Sequence, residues 1–227
     1  MDNGNLKRIT VFAGHYGSGK TNIAINYALY AASCGFKTAI ADLDIVNPYF
    51  RTKDAAKVLS ENGIRLIASP YADTNVDTPA LPAEAYSVIH DGSVHAIIDV
   101  GGDDRGALAL GRYSPDIVKQ GGYDMLFVIN KYRYLTKHPK EAIEIMNEIQ
   151  ASTELRFTGI VNNSNLGGET TAADVLDSVE YAKEVSRLSG LEIKMTALRH
   201  DLEPELKDKI VNLMPIRIYV KQAWQKS

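Results

Sequence analysis

The chain has 227 residues, 45% of them hydrophobic and 23% charged, with a formal net charge of −3; that length suits one well-buried domain better than two, and the charge gives no footprint for non-specific nucleic-acid binding. A single cysteine, Cys34, excludes an intrachain disulfide framework and the multi-thiol zinc and iron–sulfur spacings. The polar start Met1–Lys7 lacks a signal-peptide core, and no run approaches the roughly 18 apolar residues of a spanning helix, so a soluble cytoplasmic protein is expected and membrane binding is not.

In chain order, the apolar run Ile9–Ala13 reads as a buried strand, followed by a glycine-rich loop and an amphipathic helix over Asn22–Ser33. Lys37–Ala41 predicts the second strand, Lys53–Asn62 a helix and Arg65–Ala68 the third strand. After a proline-bearing segment, Pro70–Ala85, come a helix at Ala83–His90 and a strand at Val94–Val100. The second half alternates in the same way: strands at Met125–Ile129, Phe157–Val161 and Ile193–Ala197, and helices at Pro139–Glu148, Ala172–Leu188 and Glu203–Lys209. Met214–Val220 predicts a late or edge strand. Strands alternating with helices of this length imply βα crossovers, hence a doubly wound, mainly parallel α/β sheet with helices on both faces, and one domain over residues 1–227. Ligands of such sheets sit at the carboxyl ends of the strands. There the chain collects Gly14–Thr21, Asp42–Arg51, Asp99–Arg105, Asn130–Arg133 and Asn162–Gly168.

Gly14-His15-Tyr16-Gly17-Ser18-Gly19-Lys20-Thr21 fits G-x-x-x-x-G-K-[ST] between a strand and a helix, the context a phosphate-binding loop requires. Glycines let backbone amides turn toward phosphate oxygens, and the helix N-terminus adds its positive end. The expected nucleotide contacts are Gly14, Gly17, Ser18, Gly19, Lys20, Thr21 and Asn22. Lys20 reaches the β- and γ-phosphates, and the Thr21 hydroxyl holds Mg²⁺. Asp99 closes the run His95-Ala96-Ile97-Ile98-Asp99 as a second metal ligand. Asp99-Val100-Gly101-Gly102 reads D-x-x-G, whose glycine amide can sense a γ-phosphate. Asp42-Leu43-Asp44 puts two carboxylates at i and i+2 at a strand end, suited to metal-water binding or to orienting an attacking water.

The combination of GxxxxGKT, DxDxxNPYFR, DVGG and GIVNNSN resembles the MinD/ParA/nitrogenase-iron-protein group of SIMIBI-class P-loop ATPases, over roughly Ile9 to Asp201. That resemblance implies a Mg-ATP-binding, slowly hydrolysing switch that forms a homodimer in its ATP state and acts on a protein partner. It implies that Asp44 orients the hydrolytic water and Asp42 lies near the metal's water shell. Asn163, in Gly159–Asn165, would contact the adenine edge, and the loop around Leu198-Arg199-His200-Asp201 would shelve the ring. The chain departs from the group at His15, where a signature lysine normally reaches across the dimer; Arg51 or Arg105 are candidate substitutes. It also lacks the cysteine pair of the iron-protein branch. Asn130-Lys131-Tyr132-Arg133 begins like the guanine-reading N-K-x-D, but an arginine in place of the carboxylate repels guanine's N–H donors, so adenine is favoured. Two other readings stay open: a small-molecule phosphotransferase or ATP-dependent ligase similar to dethiobiotin synthetase, and a nucleotide-gated binding module with little turnover.

Overall fold

A computed structural model describes residues 6–44, 55–68 and 83–220. Asn47–Arg51 of the second motif, most of the proline-bearing segment and the tail with Trp224 lie outside the described residues. The strands are β1 (Ile9–Ala13), β2 (Thr38–Asp42), β3 (Arg65–Ala68), β4 (His95–Asp99), β5 (Tyr123–Ile129), β6 (Gly159–Asn162), β7 (Ile193–Arg199) and β8 (Leu213–Ile216). They form one eight-stranded sheet in the order β3-β2-β4-β1-β5-β6-β7-β8. Every neighbouring pair is parallel. The helices are α1 (Lys20–Ser33), α2 (Ala56–Glu61), α3 (Ala83–His90), α4 (Asp104–Gly111), α5 (Ser114–Lys119), α6 (Pro139–Thr153), α7 (Ala172–Ser189) and α8 (Glu203–Leu206).

Strand alternation divides the core in two. Ile9, Val11 and Ala13 of β1 face Val88, Ile117, Met146 and Val185 of α3, α5, α6 and α7. Phe12 faces the other way, toward Ile23, Tyr27 and Ala28 of α1 and Leu59 of α2. Both faces are thus covered, which is why the strands read as continuous apolar runs without polar alternation. Each fully buried Ile or Phe contributes about 1.5–3 kcal/mol.

The topology positions the site. From β1 the chain winds outward through β2 to β3, returns to lay β4 between β2 and β1, and then winds the opposite way through β5 to β8. The loop leaving β1 therefore lies where the winding reverses, the place at which open parallel sheets bind ligands.

The structure departs from the sequence expectations at several elements, among them α8, which stops at Leu206, three residues short of the expected Lys209. The sequence reading does not anticipate α4 and α5, because Gly106 and Gly111 weaken the helical pattern of the first and the second is only six residues long. Helix α6 runs on to Thr153, past the expected Glu148. The last strand stops at Ile216, four residues short of the expected Val220, although residues 217–220 stay hydrogen-bonded to α1.

Candidate nucleotide site

The phosphate loop is shaped by what its glycines lack. Gly17 and Gly19 take left-handed φ values of 76° and 87°. A Cβ on Gly14 would strike the carbonyl of Val128 on neighbouring β5. Gly19 precedes α1, whose first turn carries no side-chain cap, so its N–H groups keep their pull on an anion. The Ser18 amide donates to the His15 carbonyl at 3.1 Å, closing the loop. The Ser18 hydroxyl is buried and finds no hydrogen-bond partner among the described residues. Lys20 is buried too, and its Nζ donates to the His15 carbonyl at 3.0 Å. Burial pushes its pKa down, against the carboxylates of Asp99, Asp44 and Asp103, which favour the charged ammonium.

Asp42 and Asp99 end adjacent strands in direct register. Asp42 Oδ1 accepts the Asp44 amide at 2.9 Å, and the Leu43 amide donates to the Asp99 carbonyl at 2.8 Å, so both strand ends are locked together. Burial, with Asp42 beside it, pushes Asp99 up to about 8, against the Thr21 hydroxyl that approaches it. Neither Asp99 carboxylate oxygen completes a well-formed hydrogen bond among the described residues. A buried carboxylate left in that condition is what a cation site requires. No three His, Cys, Asp or Glu side chains among the described residues form a metal cluster by themselves. The donor set is two carboxylates plus the Thr21 hydroxyl, which fits Mg²⁺ shared with phosphate oxygens and water better than an all-protein cage.

The D-x-x-G loop presses directly on the phosphate loop. A Cβ on Gly102 would lie 2.6 Å from the Tyr16 amide nitrogen and 2.8 Å from Lys20 Nζ. Asp103 then caps α4, its Oδ1 accepting the Gly106 amide at 2.9 Å. Beside this loop a cavity of about 500 Å³ opens between α4 and α6, walled by His15, Tyr16, Gly101 and Asp103.

On the other flank lies a cavity of about 760 Å³, lined by Gly17, Gly19, Asn22, Arg133, Asn163 and Arg199, with Arg133 and Asn163 lying directly against Gly17 and Gly19. Asn163 is buried, and its Nδ2 donates to the Ser18 carbonyl at 2.7 Å. Asn130 is fully buried and knits two strand-end loops. Its Oδ1 accepts the Tyr132 and Asn165 amides at 3.0 and 3.2 Å, and its Nδ2 donates to the Asn165 carbonyl at 3.3 Å. Lys131 pairs with Asp177. Arg199 is held by both oxygens of Asp201 and by the Gly168 carbonyl. The Asn22 side chain is engaged by the backbone of Tyr219 and Val220.

The structure brings Lys20, Thr21, Asp42, Asp44 and Asp99 together around one loop, and Asn163 and Arg199 around the adjoining cavity. His15 Nδ1 donates to the Tyr16 carbonyl at 2.8 Å. Burial pushes the imidazole pKa down, against that carbonyl, and nearby Lys20 lowers it further, which keeps His15 neutral near pH 7. Of the two arginines considered as substitutes, Arg105 is exposed on α4 and Arg51 lies outside the described residues. The arginine beside the loop is Arg133, whose Nε stands 3.4 Å from where a Gly17 Cβ would be. Sequence spacing gave no sign of it, since more than a hundred residues separate the two.

The sequence matches no protein-family model and no curated protein. Among solved structures, the fold is similar to that of FtsY from Mycoplasma mycoides, with 19% identity and a TM-score of 0.59 over 87% of this chain and 61% of that one. The cell division protein FtsY of Thermotoga maritima aligns with 18% identity and a TM-score of 0.55, over 84% and 61%. The signal recognition particle receptor FtsY of Elizabethkingia anophelis aligns with 19% identity and a TM-score of 0.50, over 85% and 59%. The chain thus spans about three fifths of the length of the structures it matches. At this identity the likeness is one of fold alone: an α/β, P-loop NTPase-like fold. No helix among the described residues is long and apolar enough to cross a membrane.

Proposed function

We propose that this chain is a Mg-dependent ATP-binding protein with slow ATPase activity, working as a nucleotide-driven switch on a protein partner. The observation that carries the reading is the contact of Gly102 with Tyr16 and Lys20, because a γ-phosphate entering the loop must meet the D-x-x-G segment. Thr21, Asp42 and Asp99 would hold Mg²⁺, which when bound neutralises charge on the phosphates. The loop amides and Lys20 bind the β- and γ-phosphate oxygens, with the low-dielectric setting of Lys20 strengthening its pull. Asp44 orients water for in-line attack and accepts its proton. Asn163 and Arg199, which line the cavity beside the loop, would face the base, and Arg133, at the sequence position where N-K-x-D carries its carboxylate, favours adenine. We take the whole chain as one nucleotide-binding domain, cytoplasmic, and homodimeric when ATP is bound. The neutral His15 leaves the trans contact of such a dimer to an arginine.

The test is Mg-nucleotide binding by calorimetry to the wild type and to Lys20→Ala. Micromolar ATP affinity lost in the variant is expected; unchanged affinity would remove the P-loop assignment, and tighter binding of GTP than ATP would remove the adenine assignment. The cavity walled by His15, Tyr16 and Gly101 favours one second reading, a small-molecule phosphotransferase or ligase whose acceptor sits there. It requires that turnover be stimulated by a small acceptor and not by a protein.

A further inference from the structure

Beyond Ile216 the chain leaves the sheet, and residues 217–220 have no strand neighbour among the described residues. Their backbone groups are satisfied instead by two side chains of α1. Asn22 Oδ1 accepts the amides of Tyr219 and Val220 at 2.9 and 3.0 Å, and its Nδ2 donates to the Val220 carbonyl at 3.0 Å. Asn26 Oδ1 accepts the Arg217 amide at 3.0 Å, and its Nδ2 donates to the Arg217 carbonyl at 2.8 Å. A carboxamide offers one acceptor and one donor face, as a peptide group does. Two of them one helical turn apart therefore take the place of a neighbouring strand.

The suture has a consequence for the larger cavity. Ile216, Ile218 and Val220, at i, i+2 and i+4, all line that cavity. With Leu198 and Val175 they give an aliphatic lining to a cavity that also reaches Gly17 and Gly19 of the phosphate loop. Aliphatic side chains together with the carboxamides of Asn163 and Asn165 suit a flat heteroaromatic ring carrying polar edges. Asn22 directly follows Thr21, so the same helix end carries both the phosphate loop and the anchor of that lining.

We propose that the strap 217–220 is the aliphatic wall of a nucleobase subsite and that Asn22 and Asn26 are its positioning residues. This rests on the P-loop reading, because the subsite receives the nucleoside of a triphosphate whose phosphates lie in Gly14–Thr21. The strap acts on the base alone, so its disruption separates nucleoside binding from phosphate binding.

The experiment compares two probes on the full chain with Mg²⁺: inorganic tripolyphosphate, and ATP or GTP, whichever the wild type binds more tightly. Asn26→Leu cuts part of the suture. Ile218→Ser, at a side chain 44% exposed, alters the wall with little risk to folding. The expected result is nucleotide affinity weakened about tenfold by Asn26→Leu and about fivefold by Ile218→Ser, with tripolyphosphate affinity held within about twofold. Equal losses for both probes, or no loss for either, would overturn the strap while leaving the P-loop in place. So would a wild type that binds tripolyphosphate as tightly as nucleotide. A wild type that binds neither probe would remove the P-loop reading, and the strap with it.

Discussion

At the scale of single residues the site is governed by burial of charge. Asp99 ends β4 with both oxygens unsatisfied among the described residues, and its pKa stands at about 8 against an ordinary 3.8. The folded chain therefore keeps a proton that the unfolded chain releases near pH 4. The resulting stability is fully present below the unfolded value and is lost as pH rises toward 8. In EDTA, the melting temperature of the wild type should fall between about pH 5 and pH 8 more steeply than that of Asp99→Asn, and Mg²⁺ should recover it at the alkaline end. Parallel pH profiles for the two proteins would show that Asp99 does not carry the buried proton. In the proposed mechanism Asp44, whose amide is fixed on Asp42, serves a different step. Asp44→Ala should retain Mg-ATP binding and lose about a hundredfold or more in turnover, read by phosphate release under single-turnover conditions. Turnover within a factor of two of wild type would take Asp44 out of the chemistry.

At the scale of elements, α4 is the piece that the sequence concealed and the structure makes central. Gly106 in its first turn packs so closely on Gly101 that a Cβ would lie 2.5 Å from the Gly101 carbonyl oxygen. At its far end a Cβ on Gly111 would come within 2.9 Å of the Ser152 carbonyl of α6, and the Ser114 hydroxyl donates to the Thr153 carbonyl at 2.5 Å. The glycines that hide the helix from a propensity reading are the ones that let it pack against the D-x-x-G loop and against α6. Gly106→Ala gains helix propensity, yet should destabilise the fold by about 1–3 kcal/mol through overpacking, seen as a lower urea midpoint. A midpoint at or above wild type would mean that α4 moves aside without cost and is no rigid link between the D-x-x-G loop and α6. The strands were legible for the opposite reason: all-parallel, doubly covered strands are uniformly apolar, and their limits moved by only a few residues.

At the scale of the whole molecule, the proposed switch predicts a change of mass. A chain of 24.9 kDa should scatter as a monomer with ADP and approach twice that mass with a non-hydrolysable ATP analogue. An unchanged mass with nucleotide bound would disfavour the dimerising switch and bring forward the transferase reading. The sequence by itself determined the α/β winding, the phosphate loop and the carboxylates at strand ends, because each is written in local spacing: apolar runs, glycines at fixed offsets, an acid where a strand stops. Asn163 and Arg199 came only with the family resemblance, as expected contacts of the base. What only the tertiary structure decided is how distant segments meet. The register that sets Asp42 against Asp99, the Asn163 amide on the Ser18 carbonyl, Arg133 beside Gly17, and Asn22 and Asn26 holding residues 217–220 all join positions between about 60 and 200 apart in the chain. No local pattern encodes such meetings, since they follow from the strand order of the sheet and from the need of each buried backbone group for a partner.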